Sequence, residues 1–405
     1  MKRRSFLQKS GFLAGGILLQ NQITKAIEAE KAPVKIAIIG CGDRGTGLIK
    51  TIQTLPLLFR VTAICDVLEF RLEHAKDILG DAKHENYTNF HQLLKSKNVD
   101  AVIIAVTLSE HFEIARASLL AGKHIYLEKT MTYNIPQALA LVELKKSRPK
   151  QVLQVGHQYR YTPLYFKVKE MIQKGYLGKV TQVDCRWDRN NNWRRQVHDA
   201  NLERKINWRM YKEYSGGLAA ELLSHQIDFV NWAFDTHPTQ IMATGGIDNY
   251  KDGRETFDNI QILFRYNKEG MIGNFGSTLS NEHDSYLFKI KGTKGMISML
   301  FNDGIFYPEK KAEKDLQTVD GVTGATKINW NKGGGIPIIA EKDKDGSWYA
   351  LRDFSKCISH QLEPASNVIT GATTALCVHL ANDAIYKGKI QHWDDYLNEF
   401  SIIEQ

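Results

Sequence analysis

Cysteine is scarce in this chain: Cys41, Cys65, Cys185, Cys357 and Cys377 are the five in 405 residues, and no two form a Cys-x-x-Cys pair. The odd, scattered count excludes a disulfide framework. Clustered metal-ligand spacing is also missing, so no zinc or other metal site is expected. Cys41 and Cys65 fall at expected strand ends and read as small core residues. Acidic residues are absent from positions 1–26, which hold Lys2, Arg3, Arg4, Lys9 and Lys25. Setting those five cations aside lowers the formal charge from +8 to +3. No basic stripe follows, so no nucleic-acid partner is expected. The chain also lacks internal repeats, low-complexity tracts and any stable membrane span. What remains is an ordinary globular balance, 43% apolar and 24% charged, with length for two domains.

The N-terminus reads as an export leader. Lys2-Arg3-Arg4-Ser5-Phe6-Leu7 resembles a twin-arginine signal, and Gly11–Leu19 is a short apolar stretch of signal-peptide type. Residues 1–32 are therefore expected to be signal and linker, and the location periplasmic. That route carries folded proteins, so a cofactor collected in the cytoplasm can leave with its enzyme.

Downstream, strands and helices alternate. Val34–Ile39 is a buried-strand run ending at Gly40, and a helix follows to about Leu55. Val61–Cys65, Ala101–Val106, His124–Leu127 and Val152–Val155 read as further strands. Phe70–Leu79, Ile114–Leu120 and Pro136–Lys146 read as the helices between them. This alternation predicts a doubly wound parallel sheet, a Rossmann-type domain over residues 33–156. Residues 157–405 are expected to form an α+β domain with a mostly antiparallel open sheet. In it, Val180–Trp187 is a strand, Asp188–Ser215 a long polar loop, and Gly216-Gly217 opens a helix to about Phe234. Thr239–Met299 holds short alternating strands, and Glu309–Gly346 is a loop or insertion. Trp348–His360 and Ala372–Lys387 are expected as amphipathic helices that can pack back on the first domain. The open sheet suits face-to-face pairing with a second copy, so a homo-oligomer is expected.

Gly40-Cys41-Gly42-Asp43-Arg44-Gly45 matches G-x-G-x-x-G between strand and helix, where phosphate binding needs it. Gly40 permits the tight turn, Gly42 the approach of a pyrophosphate, and Gly45 close helix–strand packing. Asp66 ends the next strand, placed to bind ribose hydroxyls and repel a 2′-phosphate. NAD is therefore preferred over NADP, although Arg71 lies close by. The competing reading is a flavodoxin-like or dinucleotide-free domain.

Lys129, in Leu127-Glu128-Lys129-Thr130, sits at the carboxyl end of a strand, where ligands of such sheets gather. Position alone fits a proton donor beside a nicotinamide ring or an exposed strand-end lysine equally. Glu221, His225 and Asp228 have the spacing of one helix face. His225 suits a base that removes a hydroxyl proton, and Glu221 can orient it or bind a hydroxyl. Without the Rossmann context, the same helix would read as a satisfied Glu–His pair. Gln158, Arg160 and Tyr161 follow the last Rossmann strand and are expected to face the cleft. Trp193, Trp208 and Arg209, from the aromatic and polar loop, are expected to contact a sugar; packing within a rigid loop is the alternative.

With these elements in place, the chain resembles the Gfo/Idh/MocA family of oxidoreductases over nearly all of its mature length. The likeness rests on the Gly40–Gly45 loop, on Glu128-Lys129 in the place of a Glu-Lys-Pro motif, and on Gly216-Gly217 leading into Glu221-x-x-x-His225. It implies that Lys129 and His225 line the nicotinamide and substrate site, with His225 as base. It also implies that Thr107 and His111 flank the cofactor, beside Asp43, Arg44, Glu128 and Gln158. Thr130 stands where proline is usual, and Glu221 where aspartate is common. The expected activity is hydride transfer between a sugar or glycoside carbon and tightly bound NAD. The alternatives are a redox glycosidase working by oxidation, elimination and reduction, and a non-catalytic sugar-binding protein.

Overall fold

The computed structural model describes residues 32–300, 303–309, 335–339 and 344–396. Residues 1–31, expected as leader, and most of the Glu309–Gly346 stretch lie outside the described residues. The first sheet joins β1 (Val34–Ile39), β2 (Phe59–Cys65), β3 (Glu85–Tyr87), β4 (Ala101–Ile104), β5 (His124–Leu127) and β6 (Leu153–Val155), all parallel, in the order β3-β2-β1-β4-β5-β6. Its helices are α1 (Asp43–Gln53), α2 (Glu69–Leu79), α3 (His111–Leu120) and α4 (Ile135–Lys146). Ile36, Ala37 and Ile38 of β1 are fully buried. Burial on both faces explains why Ile36–Ile39, after the exposed Lys35, is a continuous apolar run rather than an alternating one. The chain reverses its winding between β1 and β4, which opens a crevice at their carboxyl ends. The short strand β3 was not legible in the sequence: its residues are polar and largely exposed.

The second region comprises α5 (Pro163–Gln173), β7 (Val180–Trp187), a π-helical turn at Ala219–Leu223 that runs into α6 (Ser224–Phe234), and a nine-stranded sheet. Its further strands are β8 (Gln240–Gly246), β9 (Asn259–Tyr266), β10 (Met271–Thr278), β11 (Tyr286–Gly292), β12 (Gly295–Leu300), β13 (Asp303–Pro308), β14 (Ile336–Pro337) and β15 (Gln391–His392). The order is β14-β13-β12-β11-β7-β10-β9-β8-β15. All pairs are antiparallel except β7 with β10, so the sheet is mixed but mostly antiparallel. Its inner face carries Cys185, Phe264, Phe275 and Phe288, and α5 and α6 cover it with Tyr165 and Phe229, whose rings lie 6.0 and 5.2 Å from Phe288.

Helix α7 (Gly346–His360) returns to the first sheet. Phe354 stacks on Phe59 at 6.4 Å and meets Tyr126 edge-on at 5.9 Å, while Gln154 Nε2 donates to the Ala350 carbonyl at 2.8 Å. Burying such a phenylalanine stabilises the contact by about 1.5–3 kcal/mol. Helix α8 (Val368–Lys387) differs from the amphipathic expectation. It starts four residues earlier, capped by the Asn367 side chain, and is buried from Thr374 through Ala381. It is long and apolar enough to cross a membrane, but 67% of its apolar window is buried inside the fold. It is a core helix lying between the two regions.

Candidate active site

Both regions line one cavity of about 820 Å³ at the crevice mouth. Its glycine end is set by sterics. A Cβ on Gly45 would stand 1.9 Å from the Gly40 carbonyl oxygen, and one on Gly40, at φ +94°, would stand 2.4 Å from that of Ala105. Gly42 is different: the nearest atoms to a Cβ there belong to the Arg71 guanidinium, 3.9 Å away, so the backbone is open to a ligand. Among the described residues no side chain caps the N-terminus of α1, which leaves its first-turn N–H groups for an anion. Asp66 is buried and accepts from the backbone N–H of Cys41 at 2.8 Å and of Leu68 at 2.9 Å. Arg71 approaches the same carboxylate at 4.0 Å. The Cys41 and Cys65 thiols are free and buried, and burial pushes both up to about 12.

At the far end of β5, Arg44 Nε donates to Glu128 Oε1 at 2.6 Å and its Nη1 to Ser347 Oγ at 3.0 Å, tying the glycine loop to β5 and α7. The Lys129–Thr130 peptide is cis. Lys129 Nζ donates to the Glu221 carbonyl at 2.6 Å and approaches that of Ala220 at 3.4 Å, and Thr130 Oγ1 donates to Ala220 at 3.0 Å. These carbonyls belong to the π-helical turn, a feature frequent at functional sites. Burial lowers the Lys129 ammonium from its ordinary value, opposed by the Glu221 and Glu128 carboxylates. His111 Nδ1 lies 2.8 Å from the Thr130 carbonyl, and burial lowers this imidazole too.

His225 is packed among Tyr159, Trp187 and His157, with ring centroids 5.0, 5.4 and 6.1 Å away. Its Nδ1 is buried and has no hydrogen-bond partner among the described residues. Burial holds this imidazole well below its ordinary value, and the Lys129 charge adds to the effect. It is therefore neutral near pH 7. His157 is pushed down to about 4 by burial; its Nδ1 lies 3.2 Å from Asp228 at an angle that makes no hydrogen bond. Glu221 Oε2 accepts from Arg209 Nε at 3.0 Å, and the Arg209 guanidinium covers Trp208 at 4.3 Å.

The loop 188–215 forms the opposite wall. Trp193 lines the cavity at φ +58°, a left-handed conformation costly for a bulky residue. Arg194 pairs with Glu203 and with Asp252 at 3.4 Å, and Arg254 Nη2 donates to the Asn192 carbonyl at 2.9 Å, holding the loop in place. Arg195 reaches across to Asp43 of the glycine loop with a forked contact, one limb at 2.9 Å.

Gly40, Gly42, Asp43, Arg44, Asp66, Thr107, His111, Glu128, Lys129, Gln158, Trp193, Trp208, Arg209, Glu221 and His225 thus line one cavity. Gly45 packs beneath it. Arg160 and Tyr161 do not line it and need correction as cleft residues. Arg160 is buried and grips Asp228 with two bonds of 2.6 and 2.7 Å, and the Tyr161 hydroxyl accepts from the Ser366 N–H at 2.9 Å. A buried guanidinium needs a carboxylate, and Asp228 supplies it. Asp228 accordingly points to the core with Thr374, away from the cavity that Glu221 and His225 face. Sequence reasoning missed the cavity residues Thr88, Phe90 and Tyr214, and the Arg44 contact Ser347. None carries a local signal.

Residues 34–157 match a family model described as oxidoreductase family, NAD-binding Rossmann fold, and residues 165–298 match one described as GFO/IDH/MocA C-terminal domain. The inositol 2-dehydrogenase/D-chiro-inositol 3-dehydrogenase of Lactiplantibacillus plantarum is 27% identical over 205 residues, 50% of this chain and 53% of that one. The match thus spans about half that relative's length. Among solved structures, an aldose-aldose oxidoreductase from Caulobacter crescentus complexed with glycerol superposes with a TM-score of 0.72 at 18% identity, covering 89% of this chain and 99% of the other. A levoglucosan dehydrogenase in complex with NADH and L-sorbose gives 0.72 at 19% identity, with the same coverage. Identity at that level speaks to the fold. Together the two family matches cover the sheet that carries the glycine loop and the sheet behind His225, and the chain belongs to the Gfo/Idh/MocA family of NAD-binding oxidoreductases.

Proposed function

We propose that the chain oxidises a secondary hydroxyl of a sugar or glycoside, using NAD rather than NADP. One observation carries this reading: Lys129 from β5 and His225 from α6 meet in the cavity that the glycine loop and Asp66 also line. The residues fit a dinucleotide. Gly42 leaves room against the uncapped start of α1, and the Asp66 carboxylate lies buried beside it. Bound there, the nicotinamide supplies a hydride acceptor for an alcohol carbon.

The chain's own residues handle the proton. With Nδ1 of His225 enclosed, Nε2 is the atom that takes the hydroxyl proton. Lys129 has three N–H donors. Two are occupied by the Ala220 and Glu221 carbonyls, and the third is left for the substrate oxygen. Glu221, fixed by Arg209, borders the same space and orients a neighbouring hydroxyl. Trp193 and Trp208 offer faces to the ring. The likeness to an inositol dehydrogenase and to a levoglucosan dehydrogenase supports a polyol or sugar substrate.

Export by the twin-arginine route, with NAD carried inside the folded protein, is part of this proposal; Lys2-Arg3-Arg4-Ser5-Phe6-Leu7 and the apolar stretch after it support it. The Arg195–Asp43 bridge spans the cavity mouth and supports retention. A second copy is proposed to pair against the outer sheet face, where Leu263, Ile272 and Leu300 are exposed.

The test is to purify the chain without added cofactor. It is then mixed with a glycoside panel while reduced-nicotinamide absorbance and product masses are followed. A product lighter by two hydrogens supports oxidation. Free aglycone with no net reduction points to the oxidation–elimination–reduction cycle instead. No bound dinucleotide and no response to added NAD would overturn both.

A further inference from the structure

We infer that the substrate sugar carries an oxyanion group, a carboxylate or a sulfate ester, held by Arg189. The inference rests on the proposed function and deepens it. The cavity wall is rich in arginine, yet most of it is neutralised by the protein. Among the described residues, Arg44 pairs with Glu128, Arg194 with Glu203 and Asp252, Arg195 with Asp43, and Arg209 with Glu221. Arg71 lies 4.0 Å from Asp66. Lys205 has no acid partner among the described residues but is exposed to water. Arg189 is only partly exposed, lines the cavity, and has no carboxylate or hydrogen-bond acceptor for its guanidinium among the described residues.

Its position is fixed. The Arg189 backbone N–H donates to the Thr278 carbonyl at 2.8 Å, which pins it at the end of β10, and its guanidinium lies 5.4 Å over the Trp187 ring. Trp187 in turn packs 5.4 Å from His225. Arg189 therefore stands over the ring that packs on His225, at the proton-transfer end of the cavity. The Trp187 indole N–H beneath it is buried and has no acceptor among the described residues. Neutral hydroxyl groups can accept from the guanidinium but leave its charge uncompensated. A planar carboxylate or a sulfate presents two oxygens to it. Stacking on Trp187 explains where the guanidinium lies but not why its charge is left uncompensated, when four neighbouring arginines are each given an acid.

The test uses the full NAD-loaded chain and sets of methyl glycosides that differ only at C6: the glucoside, the glucuronide and the glucoside 6-sulfate, and the matching galacto set. An anionic member is expected to have the higher kcat/KM within its set. A preference for the uronide identifies the carboxylate, and one for the 6-sulfate identifies the sulfate ester. Arg189→Gln is expected to lower the anionic-to-neutral ratio about 10- to 100-fold. Arg189→Lys should restore part of it, since it keeps the charge without the fork. Equal losses on both members, a wild-type preference for the neutral glycoside, or a loss of NAD affinity in place of the ratio would overturn the inference. Binding titrations of methyl glucuronide and methyl 6-sulfoglucoside read the same contrast without turnover. Arg189-dependent binding of either without oxidation would sink the dehydrogenase reading alone. Oxidation of neutral glycosides with no anion preference would sink this inference alone.

Discussion

The two ends of the cavity are made of different materials. At the glycine loop, backbone sets the shape: two glycines stand where a Cβ would strike a carbonyl oxygen, and Asp66 is held by two backbone N–H groups. At the opposite end, long side chains from the loop 188–215 form the wall, fixed by ion pairs with acids as far off as Asp252. The first end can be specified by six consecutive residues. The second exists only once the chain has folded.

That difference can be broken in several ways. The largest effect is expected between the ends, at Lys129. Lys129→Met should lower kcat about 100- to 1000-fold with NAD binding retained, because it removes the donor to the reacting oxygen and not the cradle; steady-state kinetics with a dinucleotide titration checks both halves. Next come the glycines, which should separate shape from access. Gly45→Ala places a Cβ 1.9 Å from a backbone oxygen that cannot swing aside, and should cost about 3 kcal/mol of stability in thermal or denaturant unfolding. Gly42→Ala meets nothing nearer than 3.9 Å. It should unfold like the parent while NAD affinity falls about tenfold or more, since the added methyl occupies the phosphate approach.

The pH profile sharpens the comparison further. His225 works neutral, and burial with the Lys129 charge holds it well below 6.5. Its neutral form is therefore complete at and above that pH and is lost only as pH falls through the depressed value. The acid limb of kcat/KM should lie clearly below 6.5, and a limb at the ordinary histidine value would show that His225 is not the base. The smallest effect is expected at the bridge between the ends. Arg195 is 46% and Asp43 73% exposed, and such pairs are worth about 1 kcal/mol or less. Arg195→Ala should speed NAD release by no more than about fivefold in a stopped-flow chase.

The same contrast explains what could be read in advance. Val34–Ile39 and His124–Leu127 are strands with the bounds that their apolar runs predict, because burial on both faces leaves no other reading. The glycine loop was legible because its three glycines fall within six residues, although the carbonyl that fixes Gly40 belongs to Ala105. Lys129 was legible as a position but not as a donor to Glu221, a contact spanning 92 residues. Arg160 and Tyr161 misled for a related reason. A polar residue after a strand can face a cleft or a buried acid, and its Asp228 partner lies 68 residues away. Helix α8 misled because its polar residues are small or hydrogen-bonded, such as Thr374 to Asp228, and so sit inside the core. Arg195–Asp43, 152 residues apart, leaves no trace in either segment alone.

The central claim is that His225 takes the proton from a substrate oxidised in this cavity. The most direct measurement compares the parent and His225→Ala, both loaded with NAD, in a single turnover with a responsive glycoside. Reduced-nicotinamide absorbance should rise in the parent. In the variant the rise should be slower by about 100-fold or more, with the bound dinucleotide unchanged. An undiminished rise in the variant would contradict the account.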